Sequence, residues 1–114
     1  MILPLILAVS AAVAAPAAPG PCFQVHGRLA VWNGSPAVRI QPVGSRRVLG
    51  VHTPAGEGYG DDLVPAAVQA MVSASPEDTV VLGDYRVCPL TPDRPGRMRI
   101  VYIASATHLR AARR

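Results

Sequence analysis

The sequence predicts a mainly β domain, a small antiparallel sandwich or barrel of five to six strands with one short helix at about 62–73. Three observations carry that expectation. Apolar and polar residues alternate with a period of two over 22–32, 37–43 and 78–88. Turn-forming clusters, Asn33-Gly34-Ser35-Pro36, Gly44-Ser45 and Pro92-Asp93-Arg94-Pro95-Gly96, follow these runs. The segment DLVPAAVQAMV carries apolar residues at intervals of four, as Leu63/Ala67/Met71 and Val64/Val68/Val72.

The chain opens MILPLILAVSAAVAAPAAPG, with no charged side chain. Apolar residues 2–9, interrupted by Pro4, lead into Ala12-Val13-Ala14 and Ala15-Pro16-Ala17, both small-x-small cleavage patterns. Residues 1–14 are read as a signal peptide, with cleavage as late as 17 as the variant. The apolar run is far short of the roughly 20 residues that span a bilayer, so no transmembrane segment is expected after cleavage. Pro21 before Cys22, and Pro19 three before it, disfavour a lipid-modified cysteine. Residues 15–21 form a Pro/Gly linker, 22–110 a single β domain, and 111–114 a basic tail. The expected location is periplasmic or secreted.

In CFQVHGRL, residues 22–29, Cys22, Gln24, His26 and Arg28 share one face of a strand, and Phe23, Val25 and Leu29 the other. A hairpin through Asn33-Gly34 sets Val31 near Val38 and Leu29 near Ile40. Gly44-Ser45 then returns the chain, with Leu49 and Val51 on the same inner face. Residues 52–61, HTPAGEGYGD, read as a Gly-rich connection; their glycine spacing is not a phosphate-binding fingerprint. Asp62 is placed to cap the helix and Pro65 to fall in its first turn. Ser75-Pro76 ends the helix. In the next strand Tyr85 and Val87 point inward, while Asp84, Arg86 and Cys88 point outward. RMRIVYIASA is the last main strand, and its apolar run 100–103 predicts burial on both faces.

Two cysteines in an exported chain imply one disulfide, Cys22–Cys88, closing a loop of roughly 65 residues and worth about 4 kcal/mol. With those two strands antiparallel, one register has paired residue numbers summing to 110. Phe23 meets Val87 and Val25 meets Tyr85 on the apolar side. Gln24 meets Arg86 and His26 meets Asp84 on the polar side. A slip by one residue would turn every side chain over.

The formal charge is +4, all eleven basic residues are Arg, and the aromatics number only five, with no basic stripe between them. Nucleic-acid binding is therefore not expected. His26 beside Asp84 is half of a catalytic triad, but Ser35, Ser45, Ser73, Ser75 and Ser105 lie in turns, breaks or a strand end, none in a nucleophile elbow. No catalytic residue is assigned, and a cross-strand polar pair is the expected role. His26, His52 and His108 have no ligand spacing on one element, and Glu57, Asp61 and Asp62 form only a loose acidic group. No metal and no cofactor are expected.

The segments CFQVHGRLAVWNGSP, RRVLGV and VCPLTP resemble a group of small exported bacterial proteins of unknown function with a C-F-x-V-H-G-R-L…N-G-x-P…R-x-L-G-V…V-C-P-x-T-P pattern. More loosely, V-x-G-x-L, N-G-x-P and G-D-Y-x-V resemble transthyretin-like and carboxypeptidase-regulatory-like β-sandwich modules, from which the helix and the Gly-rich loop depart. The second resemblance implies a binding or scaffolding role. The expected function is an exported, disulfide-stapled binding or accessory module for an envelope or extracellular protein partner, with Trp32 and Arg39 as its contact surface. A small hydrolase or metal-dependent enzyme using His26, Asp84 and the Asp61/Asp62 loop is the alternative. A protease inhibitor presenting loop 90–96 is the weaker one.

Overall fold

A computed structural model describes residues 18–52 and 64–114. Its elements are β1 (Phe23–Val31), β2 (Val38–Pro42), β3 (Leu49–Val51), α1 (Ala66–Ser73), β4 (Thr79–Pro89) and β5 (Arg99–Arg113). The strands form one sheet that closes on itself in the order β1-β2-β3-β5-β4. Neighbours are antiparallel except β3 and β5, which run parallel. The ring is narrow at β3, which has three residues. The helix lies between β3 and β4 in the chain, and the parallel β3–β5 pair requires this crossover connection. Of the two forms expected, the closed strand order is nearer the barrel, with the short β3 leaving the ring irregular.

Alternation explains the interior. Val25, Leu29, Val38, Ile40, Leu49, Val51, Val81, Tyr85, Val87, Val101 and Ile103 point inward and form one buried cluster with Val64, Val68 and Val72. The β1–β2 pairing sets Leu29 opposite Ile40 and Val31 opposite Val38. The β1–β4 pairing sets Phe23 opposite Val87, Val25 opposite Tyr85 and His26 opposite Asp84, the register in which paired numbers sum to 110. One rung further out lies the Cys22–Cys88 disulfide, its Cα atoms 4.0 Å apart. Gly27 faces Gly83 on this ladder, and the barrel wall crowds both positions, with backbone at Gly27 and with a leucine side chain at Gly83. A Cβ on Gly27 would lie 2.7 Å from the Gln41 carbonyl oxygen, and one on Gly83 2.6 Å from Leu109 Cδ2. The buried Tyr85 hydroxyl donates to the Val81 carbonyl at 2.7 Å, and burial pushes its pKa well above the ordinary tyrosine value.

Three expectations are corrected. The helix starts at Ala66, not near 62, with Pro65 at the N-cap position in an extended conformation. A residue before proline is driven out of the helical region, so Val64 cannot belong to a first turn. Its side chain still joins Val68 and Val72 in the core. The expected cap Asp62, and most of the Gly-rich connection, lie outside the described residues.

The second correction is that β5 is not buried on both faces. Val101 and Ile103 are inside, whereas Tyr102 is 37% exposed, because the outer face of a closed barrel meets solvent. The third is that 111–113 are not a basic tail. They continue β5, with Thr79 opposite Arg113, and the Arg114 backbone N–H donates to the Asp78 carbonyl at 2.7 Å. Two β-bulges make this length compatible with the barrel. Each adds one residue to β5, between Ile103 and Ser105 and between Thr107 and Arg110. Beyond Ile103 the residues turned inward are consequently Ala106 and Leu109, spaced by three.

Candidate functional site

Two clusters of polar side chains stand on the outer surface. The first follows from the second bulge. His108 there has φ 54°, a left-handed conformation uncommon for a residue with a side chain. The extra residue leaves both Thr107 and His108 on the outer face, beside Asp84. His26 Nδ1 lies 2.7 Å from Asp84 Oδ1, and His108 Nδ1 lies 3.0 Å from Asp84 Oδ2. One carboxylate thus bridges two imidazoles from β1 and β5. The hydrogen bond with His26 lowers the Asp84 pKa below its ordinary 3.8; desolvation opposes it, and His108 reinforces the lowering. Both imidazoles are well exposed, 64% for His26 and 82% for His108. The arrangement ties three neighbouring strands across the outside of the barrel. Among the described residues, no group of three or more His, Cys, Asp or Glu could hold a metal ion. The acidic residues Glu57, Asp61 and Asp62 lie outside the described residues.

The second cluster surrounds a notch of about 260 Å³ at the β1–β2 end of the barrel. Its origin lies in three alternate residues of β1 and its extension, Arg28, Ala30 and Trp32, which share the outer face. Ala30 is small, so a depression opens between two long side chains. Val80 of β4, directly opposite Ala30, deepens it. Both are outward-facing yet buried, at 5% and 7% exposure, because Trp32, Arg39, Arg113 and Arg114 stand around them. Val48 adds a further apolar wall and Gln41 a polar one.

The positions of these arginines are defined. Arg39, opposite Ala30 on β2, donates from Nε to the Pro36 carbonyl at 3.0 Å, and its guanidinium lies 5.8 Å from the Trp32 ring centre. Arg114 donates to the carbonyls of Val31 at 2.8 Å and Glu77 at 3.2 Å, and its guanidinium lies 4.8 Å from the same ring. Among the described residues none of Arg28, Arg39, Arg113 and Arg114 is ion-paired with a carboxylate; the one arginine that is, Arg47, pairs with Asp93 on the far loop.

The structure brings Trp32 and Arg39 together and adds Arg28, Arg113 and Arg114, which the sequence did not single out. A signal was available in R-x-A-x-W, long–small–long on one strand face. Loop 90–96 is tied back by Arg47, which donates to the Arg94 carbonyl at 3.1 Å.

Fold and surface together define a small, disulfide-stapled β-barrel with a cationic, aromatic-edged notch on its outer face. No family model, no characterised protein and no solved structure matches this chain. Architecture alone assigns no ligand.

Proposed function

We propose that this protein is an exported binding or accessory module, and that its contact surface is the Trp32–Arg39 end of the barrel. The observation that carries this reading is the notch: four arginines without carboxylate partners among the described residues, gathered with a half-exposed tryptophan around a buried apolar floor. Aromatic and arginine side chains are the residues that most often dominate binding energy at protein interfaces. Like charges held together without counter-ions are a cost that a bound anionic group relieves. The disulfide and the apolar leader sequence fit a periplasmic or extracellular setting.

The test is recovery of partners from a periplasmic extract by wild-type protein and by Trp32→Ala, after circular dichroism has shown both to be folded. Loss of the recovered partner with Trp32→Ala is the expected result. Equal recovery by the two proteins would remove this surface from the function.

A further inference from the structure

We infer that the notch is a binding site for a small amphipathic anion, an apolar or aromatic body bearing a phosphate, sulfonate or carboxylate group. This rests on the same contact surface as the proposed function and adds the chemistry of what enters it. Three features set that chemistry. The floor and one wall are apolar, from Ala30, Val80 and Val48. The rim is cationic, from Arg28, Arg39, Arg113 and Arg114, and guanidinium groups match phosphate, sulfonate and carboxylate oxygens in fork geometry. The volume, about 260 Å³, is below the roughly 300 Å³ at which drug-sized pockets begin, so it suits a single ring or a short chain.

The geometry also argues against stacking-based ligands. Single-stranded nucleic acids and neutral sugars use an open aromatic face, whereas the Trp32 ring already has the Arg39 and Arg114 guanidinium groups over it. The ring is thereby fixed as a wall of the notch, and recognition falls to its rim charges and its floor. The Arg28 and Arg113 side chains make no hydrogen bond or ion pair among the described residues, so both guanidinium groups can close on a ligand.

Trp32 is the only tryptophan in the chain, so its fluorescence reports on the notch directly. The purified oxidised protein is titrated with phenyl phosphate, inorganic phosphate and benzyl alcohol, which carry both features, the charge alone and the ring alone. A saturable emission change is expected with phenyl phosphate. The other two should bind at least about tenfold more weakly, since each lacks one class of contact. Arg28→Gln, which removes no intramolecular bond, should weaken phenyl phosphate about tenfold, while Arg86→Gln on the same barrel exterior should leave it unchanged.

An equal response to phenyl phosphate and benzyl alcohol would overturn the proposal, as would a non-saturating response or an unaffected Arg28→Gln. Binding to phosphatidylglycerol vesicles or to an oligothymidylate, without any response to free phenyl phosphate, would overturn it in favour of a membrane or nucleic-acid surface. A flat titration beside Trp32-dependent partner recovery would refute the ligand and spare the contact surface; the opposite pair of results would do the reverse.

Discussion

Replacing both cysteines by serine, Cys22→Ser with Cys88→Ser, isolates the contribution of the staple. The bond links residues separated by 66 positions, and the loop-closure entropy of a chain segment of that length corresponds to about 4 kcal/mol at 25 °C. The native state should lose little directly. The β1–β4 ladder next to the bond continues through eight residue pairs, from Phe23↔Val87 to Ala30↔Val80, and keeps the two strands in register without it. The effect therefore acts mainly on the unfolded chain, which gains the freedom that the bond denied it. For a domain of about 100 residues, where 1 kcal/mol moves the thermal midpoint by roughly 4–8 °C, the expected drop is about 15–30 °C. Urea unfolding supplies a second readout, since a chain freed of its cross-link exposes more surface and the slope with denaturant should steepen. A midpoint lowered by less than about 5 °C with an unchanged slope would refute the reasoning. It would mean that the unfolded chain is already as compact as the bond makes it.

Two further outcomes follow from single contacts. Tyr85→Phe removes the hydroxyl that donates to Val81 and should cost about 1 kcal/mol, read as a midpoint lower by several degrees; an unchanged midpoint would show that the bond carries no net stability. Asp84 has a folded-state pKa below its ordinary value of 3.8, so its contribution to stability is fully present above that value and is lost as pH falls through it toward the lower folded-state pKa. Asp84→Asn should accordingly reduce the loss of stability between neutral pH and pH 3, measured by urea midpoints, and an identical pH profile in both proteins would show that the two histidines do not act on this carboxylate.

The hairpins, the inward set of residues and the β1–β4 register were legible in the sequence because all depend on a period of two, and a register error would expose the whole apolar face at once. What escaped was whatever broke that period. In β5 the step from Ile103 to Ala106 and then to Leu109 is three residues each time, so ASATHLR reads as the end of a strand although it is the middle of one. Arg113 and Arg114 consequently looked like a solvated tail, and two of the four rim arginines of the notch were out of view. Pro65 misled in another way. A proline is tolerated in a first helical turn, but it also drives the residue before it out of the helical region, and that effect decides where α1 begins.

The two outer-surface clusters have a common cause. A barrel of five strands has a small interior, and here the inward positions are almost entirely aliphatic, with Tyr85 the one large ring that reaches a backbone acceptor. The distinctive side chains are consequently on the outside, and what distinguishes one patch from another is local relief. At His26, Asp84 and His108 the bulge raises an extra side chain, and the carboxylate between the imidazoles gives each Nδ1 a hydrogen-bond partner within the cluster. At the notch, small residues lower the surface while the charges above have no partner of opposite sign among the described residues. A self-satisfied cluster on a raised surface braces strands; an unsatisfied one around a hollow leaves its electrostatic demand to a ligand. That difference, rather than the presence of histidine or arginine as such, is why the functional proposal rests on Trp32 and its arginines and the structural role goes to Asp84 and its histidines.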